Sequence, residues 1–517
     1  ALMSLLLEWR YDKDEILEAY LNEIYLGQDG NRAIHGFGLA AQFYFDAPLN
    51  TLNSGQIALL VGLVKGPGYY DPRRFAKRAK QRRKVVLKTQ QKLGLLPAET
   101  VRRLAAGPLG VSKNKPSGVT RYPAFMDLVK RQLVKDYRPE DLSSEGLRLF
   151  TTINPWQQHA LEQSIKRQLP ALDEKSKLKK GELQVAAMLS DTGSAAVRAM
   201  VGSRYFRSQG FNRVLDARRH VGSLIKPAVY LTALGQPGKY NLITHLQDSP
   251  IRIKQNNGKF WEPQNYDHKF HGEISLMGAL ANSYNAATVR LGMKLGLENV
   301  GQTLQALGIR RDIDLYPSML LGAVDLSMLE ILQMYQTLSE QGIQTPIRAI
   351  HTVTTANGRV LSKYPIQVQK TIEAESVYLL LRAMEEVAIS GTARYARHKL
   401  GHKFTIAGKT GTTNDYKDSW FAGITGDKVA VVWLGNDDNK PIGLTGSSGA
   451  LRIWTDVIQK TARRSLDIPV PARIRFAKVD VLMQNKAALV CANDIVLPFV
   501  SGYVPKSRSG VACVDEQ

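Results

Sequence analysis

The sequence predicts an α+β multidomain chain, on three observations. Its 517 residues suggest about three domains of roughly 150 residues. In the first 105 residues apolar side chains recur at three- and four-residue spacing, the period of a helix. From Glu182 they alternate instead, the period of strands, with long apolar helices between the strand signals. With 44% apolar and 22% charged residues, the chain is no disordered tail, collagen-like fibre or disulfide-dense miniprotein.

The expected division is 1–105 helical, 106–181 a linker with a small connecting module, 182–466 mixed strand and helix, and 467–517 a β-rich tail. In the first region Ile16–Leu21 reads as a half-buried helix. The breakers between Gly27 and Gly38 follow, then a second apolar helix near Ile57–Val64, stopped by Lys65-Gly66-Pro67-Gly68. A further helix from Pro72 to Leu93 carries ten basic residues and no acid. Such a run is either a solvated face or a face held against anionic lipid or phosphate. Gly107-Pro108, Pro116-Ser117-Gly118 and the Lys175–Lys180 run set off the connecting stretch. Leu183–Leu189, Asp191-Thr192-Gly193 and Ala195–Val201 read as strand, tight turn and strand. Val429–Leu434 reads as a returning strand and Leu451–Arg463 as a closing helix.

Lysine and arginine exceed aspartate and glutamate by 23 (69 − 46). So large a positive field draws something anionic, whether nucleic acid, an anionic membrane surface or a phosphate-bearing substrate. No recognised nucleic-acid module or aromatic–basic interleaving accompanies it. Cys491 and Cys513 stand 22 positions apart in the tail. They read as one disulfide in an oxidising compartment, or as two thiols of no consequence. No stretch approaches the ~20 apolar residues of a membrane span. The chain opens with Ala1-Leu2-Met3-Ser4-Leu5-Leu6-Leu7 inside a helix already under way, so N-terminal truncation is expected.

Three short motifs carry chemistry. In Ser223-Leu224-Ile225-Lys226 the i, i+3 spacing of a helical turn brings the lysine amine toward the serine hydroxyl. A desolvated lysine can be the base that a serine nucleophile needs. Ser283-Tyr284-Asn285 supplies a hydroxyl to relay a proton and an amide to hold a substrate amide. Lys409-Thr410-Gly411-Thr412, after the strand-like Phe404–Ala407, offers a cation and two hydroxyls to a carboxylate. Gly411 lets another backbone come close, and the Thr412 and Ser223 N–H groups can form an oxyanion hole. Each motif alone is common. Gly408-Lys409-Thr410 also looks like the end of a P-loop, but Lys403 stands where that motif needs glycine. His268/His271 and His398/His402 have no identifiable third ligand and read as structural.

In this order S-x-x-K, S-x-N and K-T-G resemble the signature of penicillin-recognising serine enzymes. Phe211-Asn212-Arg213, Arg218-Arg219, Gly222, Leu321–Ser327 and Gly391-Thr392-Ala393 are similar to the same segments of class A penicillin-binding proteins. Lys13, Ile16-Leu17-Glu18, Tyr20-Leu21-Asn22 and Tyr25-Leu26-Gly27 resemble the later motifs of their peptidoglycan glycosyltransferase domain. The resemblance covers nearly the whole chain and is closest to the 1b type of Gram-negative bacteria. It implies the C-terminal part of an all-α, lysozyme-like glycosyltransferase of the family 51 kind. A transpeptidase of antiparallel sheet flanked by helices would follow.

By the same resemblance Ser223 is the nucleophile, Lys226 its base and Ser283 the proton relay. Asn285, Lys409, Thr410, Gly411 and Thr412 would bind substrate. The implied partners are peptidoglycan stem peptides, lipid II, β-lactams and the inner-membrane surface. An outer-membrane lipoprotein activator and cell-division proteins would bind through regions before Ala1. No cofactor is implied for transpeptidation, and a divalent metal is implied only for glycosyltransfer by the longer parent. The expected location is the periplasmic face of the inner membrane, where Cys491–Cys513 fits a disulfide. The family's glycosyltransfer glutamates, in E-D-x-x-F-x-x-H-x-G and R-K-x-x-E, are absent, and Glu8, Glu15, Glu18 and Glu23 do not replace them. The chain is therefore expected not to polymerise lipid-linked disaccharide. A β-lactamase or a penicillin sensor shares the three motifs, but would not need the N-terminal block.

Overall fold

A computed structural model describes residues 12–29, 32–47, 49–112, 122–138, 147–208, 210–254, 258–355, 358–480 and 494–505. The opening residues 1–7, Pro116–Gly118 and both cysteines lie outside them. The described residues form two compact units, divided between residues 121 and 122.

In the N-terminal unit α1 (Lys13–Glu23) starts on a capping box, Asp12 accepting the Glu15 N–H while Glu15 accepts that of Asp12. Its apolar stripe was expected half-buried, yet Leu17 and Tyr20 are exposed and no residue of the helix is buried. The breaker-rich segment after it is not a loop. It is a hairpin of β1 (Tyr25–Asp29) and β2 (Arg32–His35), followed by α2 (Phe37–Phe45) and α3 (Ser54–Leu63). Leu26, Ile34, Phe43, Tyr44, Leu59 and Leu60 form the core there.

The basic helix α4 (Ala76–Lys92) begins four residues later than its charge pattern predicts. The cations of the basic run from Arg73 to Lys92 divide in role. Arg83 is buried and donates to the carbonyls of Gly107 and Pro108, while Arg73 and Arg82 donate to those of Phe43 and Gly62. These three are structural, and Arg74, Lys77, Arg78, Lys80, Lys84, Lys88 and Lys92 form the exposed face. Helix α5 (Ala98–Ala106) closes the described part of this unit.

In the larger unit the stretch read as a connecting module supplies α6 (Pro123–Leu133) and the 21-residue α7 (Pro155–Lys175). Five antiparallel strands follow: β3 (Gln184–Asp191), β4 (Val197–Val201), β7 (Ala407–Thr412), β8 (Ser419–Ile424) and β9 (Lys428–Gly435). Their spatial order is β7-β8-β9-β3-β4. Between β4 and β7 in sequence come a hairpin of β5 (His245–Asp248) and β6 (Gly272–Ser275) and helices α8 (Lys226–Leu234), α9 (Leu276–Ala281), α10 (Asn285–Leu295), α11 (Met328–Ser339) and α12 (Ala374–Ile389).

Both sheet faces are covered, so β3 and β9 are buried along nearly their whole length instead of alternating. Val185, Ala187 and Leu189 face one core, with Leu161 and Ile165 of α7 and Trp454 and Val457 of α13 (Ala450–Thr461). Ala186 and Met188 face the other, with α8, α11 and most of α12. Beyond α13 the described residues include a two-stranded ladder of β10 (Ile474–Asp480) and β11 (Asp494–Val500). Among the described residues no helix is long and apolar enough to cross a membrane.

Candidate active site

Ser223 sits on a turn rather than in a helix. Gly222–Ile225 is one 3-10 turn, and α8 begins at Lys226 with Pro227 in its first turn. The turn is pressed against β7. A Cβ on Gly222 would lie 2.6 Å from the Thr412 carbonyl oxygen, and its φ of +53° is a glycine conformation. From the other side a Cβ on Gly411 would lie 2.7 Å from the Val221 carbonyl oxygen. The Val221 and Gly222 N–H groups both donate to the Gly322 carbonyl, at 3.1 and 3.2 Å.

Lys409 to Thr412 end strand β7, as the sequence pattern predicts, but the strand starts only at Ala407. The strand-like Phe404-Thr405-Ile406 precedes β7 without joining it, because the Thr405 N–H donates to Ser465 Oγ and its carbonyl accepts the Leu466 N–H. β7 holds Lys409 fully buried. Thr410 Oγ1 is 2.7 Å from Thr392 Oγ1, and Thr412 Oγ1 accepts the Gly446 N–H at 3.0 Å.

Ser283 follows the end of α9 with φ +61°, a left-handed conformation rare for a residue with a Cβ. That backbone aims its hydroxyl at both lysines. Ser283 Oγ accepts from Lys409 Nζ at 2.8 Å and lies 3.3 Å from Lys226 Nζ. Lys226 Nζ also donates to the Ser283 carbonyl at 2.6 Å and to Asn285 Oδ1 at 2.7 Å. Asn285 Nδ2 donates to the Gln264 carbonyl at 2.7 Å.

The three motifs, whose first residues stand 60 and 126 positions apart, therefore meet through Lys226, Ser283, Asn285 and Lys409. One expected contact is missing: the partly exposed Ser223 hydroxyl makes no hydrogen bond to Lys226. An ammonium has three protons, and the two oxygens of Ser283 with that of Asn285 accept all three. Asn285, expected to orient substrate, has both ends of its amide occupied within the protein.

Burial pulls the Lys226 amine well below its usual range, the neighbouring Lys409 charge pulls it further, and Asp248 opposes both. Burial alone brings Lys409 down to about 7. A neutral Lys226 keeps two protons and gains a lone pair, so it can take a proton from a neighbouring hydroxyl.

Sequence reasoning missed Asp248, Gln264, Asn265 and Ser447, and quoted Thr392 without a role. Ser447 Oγ donates to the Thr392 carbonyl at 2.8 Å. No spacing rule marks these residues, which come from the end of β5, the loop before β6 and the loop before α13. Of the paired histidines, His271 stacks on Tyr284 and bonds Asp267, and His402 accepts from Arg397. Among the described residues no cluster of three or more His, Cys, Asp or Glu could hold a metal ion.

Comparison with known proteins agrees with this architecture. Residues 1–91 match the Transglycosylase family and residues 185–459 the penicillin binding protein transpeptidase domain. Penicillin-binding protein 1B of Vibrio cholerae is 44% identical over 499 residues, 96% of this chain and 64% of that protein. The Escherichia coli protein of the same name is 41% identical over 488 residues, 93% of this chain and 57% of its own length. The crystal structure of penicillin-binding protein 1A from Haemophilus influenzae superposes with a TM-score of 0.81 at 22% identity, covering 97% of this chain and 93% of that one, and so shows a shared fold. The chain therefore belongs to the class A penicillin-binding proteins, and within them to the 1b type. It spans about three-fifths of the length of those two relatives.

Proposed function

We propose that this chain is a D,D-transpeptidase of peptidoglycan synthesis, acting through an acyl-enzyme on Ser223 and open to acylation by β-lactams. The observation that carries this reading is the buried pair Lys226 and Lys409 converging on Ser283 beside the Gly222–Ile225 turn. Ser223 Oγ attacks the carbonyl of the penultimate D-Ala, and its proton passes to neutral Lys226. Catalytic hydrogen bonds such as Ser223–Lys226 often tighten only once substrate is bound. The Ser223 and Thr412 N–H groups receive the oxyanion. Collapse breaks the peptide bond and releases D-Ala, whose nitrogen takes the proton by way of Ser283. An amine of a neighbouring stem peptide then attacks the ester, forming the cross-link and freeing Ser223. Lys409, Thr410 and Thr412 hold the donor carboxylate, Gly411 keeps the strand close to the turn, and Asn285 holds Lys226 and the donor peptide.

The same reading assigns 1–105 to part of a glycosyltransferase domain, 106–181 to a connecting module, 182–466 to the transpeptidase and 467–517 to a tail. It places the active site on the periplasmic face of the inner membrane, with lipid II and the membrane surface meeting the exposed cations of α4. Activator and cell-division partners would bind the longer parent.

Intact mass after incubation with benzylpenicillin, beside Ser223→Ala, tests it. The expected result is a stable one-to-one adduct that the variant lacks. Rapid drug hydrolysis without an adduct would mark a β-lactamase, and no reaction at all would overturn the assignment of Ser223.

A further inference from the structure

We infer that Asp248, through Asn265, is a positioning residue of this site: it fastens the turn bearing Ser283 and Asn285, and acts on Lys226 through it. The inference rests on the proposed acylation of Ser223.

Three observations carry it. First, Asp248 is a fully buried carboxylate, and among the described residues no lysine, arginine or histidine pairs with it. It survives on donated hydrogen bonds: Oδ2 accepts Asn265 Nδ2 at 2.7 Å and the His271 N–H at 2.9 Å, and Oδ1 accepts the Ala287 N–H at 3.3 Å. A buried charge held by such bonds is expensive to keep, which argues for a role beyond packing.

Second, these bonds form a cap borrowed from elsewhere in the chain. Helix α10 begins at Asn285, and Tyr284, at its N-cap, supplies no side-chain acceptor. Orphan N–H groups at a helix start need partners. Asn265 Oδ1 accepts the Asn285 N–H at 2.6 Å and lies 3.4 Å from that of Ala286, and Asp248 takes Ala287. Two side chains from the β5 end and the loop before β6 thus fix the backbone of the residue whose amide oxygen holds Lys226. Asn265 Nδ2 also donates to the Lys269 carbonyl at 2.8 Å, which sets its amide orientation.

Third, Asp248 is the acidic group acting on Lys226. The other groups acting on or bonded to that amine are the cation Lys409 from β7 and the neutral oxygens of Ser283 and Asn285. Removing the Asp248 charge leaves burial and Lys409 unopposed, so Lys226 loses its proton at lower pH.

The test measures acylation of the full chain by benzylpenicillin against pH. In Asp248→Asn the acid limb of the rate constant is expected to move to lower pH, and the plateau to fall about tenfold as the cap is damaged. In Asn265→Ala the plateau is expected to fall while the limb stays, because the charge beside Lys226 remains. A merely structural Asp248 would lower the plateau and the melting temperature but leave the limb in place, which overturns the inference. An unchanged plateau in Asn265→Ala overturns the fastening role. If Asp248→Asn fails to fold, Asn265→Ala still decides the fastening role and Asp248→Glu, which restores the charge, decides the other: a wild-type limb supports it and a displaced limb overturns it. An unmodified wild-type protein would instead bring down the Ser223 reading itself.

Discussion

Ser283 occupies a position where the backbone would prefer glycine. Its φ of +61° follows a helix end, the place where a left-handed residue usually ends the turn. The strain is of order 1 kcal/mol, and the hydroxyl between Lys226 and Lys409 explains why serine is there. Ser283→Gly should therefore leave the melting temperature equal to or above wild type while slowing acylation by about 10²–10⁴-fold, the usual size of a lost proton-transfer group. A strongly destabilised Ser283→Gly that still acylates at wild-type rate would contradict this. Lys409 yields a pH prediction. Held at about 7 by burial, it loses its charge as pH rises through that value, and with it the attraction for a carboxylate. Second-order acylation should fall on the alkaline side from about pH 7. A bound carboxylate stabilises the ammonium, so the first-order rate constant at saturating drug should hold to higher pH. Coincident alkaline limbs for the two constants would remove Lys409 from carboxylate binding.

At the scale of elements, the site is a contact between a turn and a strand. The Gly222–Ile225 turn lies against β7, and neither partner leaves room for a Cβ. Gly222→Ala meets the Thr412 carbonyl at 2.6 Å and also places alanine in left-handed backbone, itself worth about 1–2 kcal/mol. The turn must lift from β7, carrying Ser223 away from the Thr412 N–H. The expected outcome is a lower melting temperature and at least about a hundredfold slower acylation, since a misplacement near 1 Å costs that much. Wild-type acylation by Gly222→Ala would show that the turn and the strand need not touch.

Across the whole molecule, stability depends on what the helices seal against the sheet. Glu385 on α12 is nearly buried beside Arg382, and desolvation raises its carboxyl to about 7 from an ordinary 4.5. The folded chain then holds a proton that the unfolded chain releases, so this group lowers stability as pH rises from about 4.5 to 7. The difference in unfolding free energy between Glu385→Gln and wild type should grow over that window, reaching on the order of 3 kcal/mol above it. Parallel stability curves for the two proteins would overturn this. The same scale explains α4: the +23 charge is spread over solvent, but Arg83 within the basic run is a core residue bonded to two carbonyls. Composition counts it with the exposed cations, and only packing separates them.

The sequence by itself determined the order of helical and sheet regions and the motif residues that meet around Lys226. Apolar period and motif spacing are local properties of a chain, so they can be read without coordinates. The hairpin at Tyr25–His35, the exposure of α1 and the start of β7 at Ala407 were not legible. Each depends on which distant segment supplies a hydrogen-bond partner or a covering face. The same holds for Asp248 and Asn265, which cap a helix 20 to 39 residues ahead of them in the chain. Whether Lys226 turns toward Ser223 or toward Ser283 and Asn285 was also decided by tertiary structure, because a buried amine turns to whichever oxygens the fold places around it.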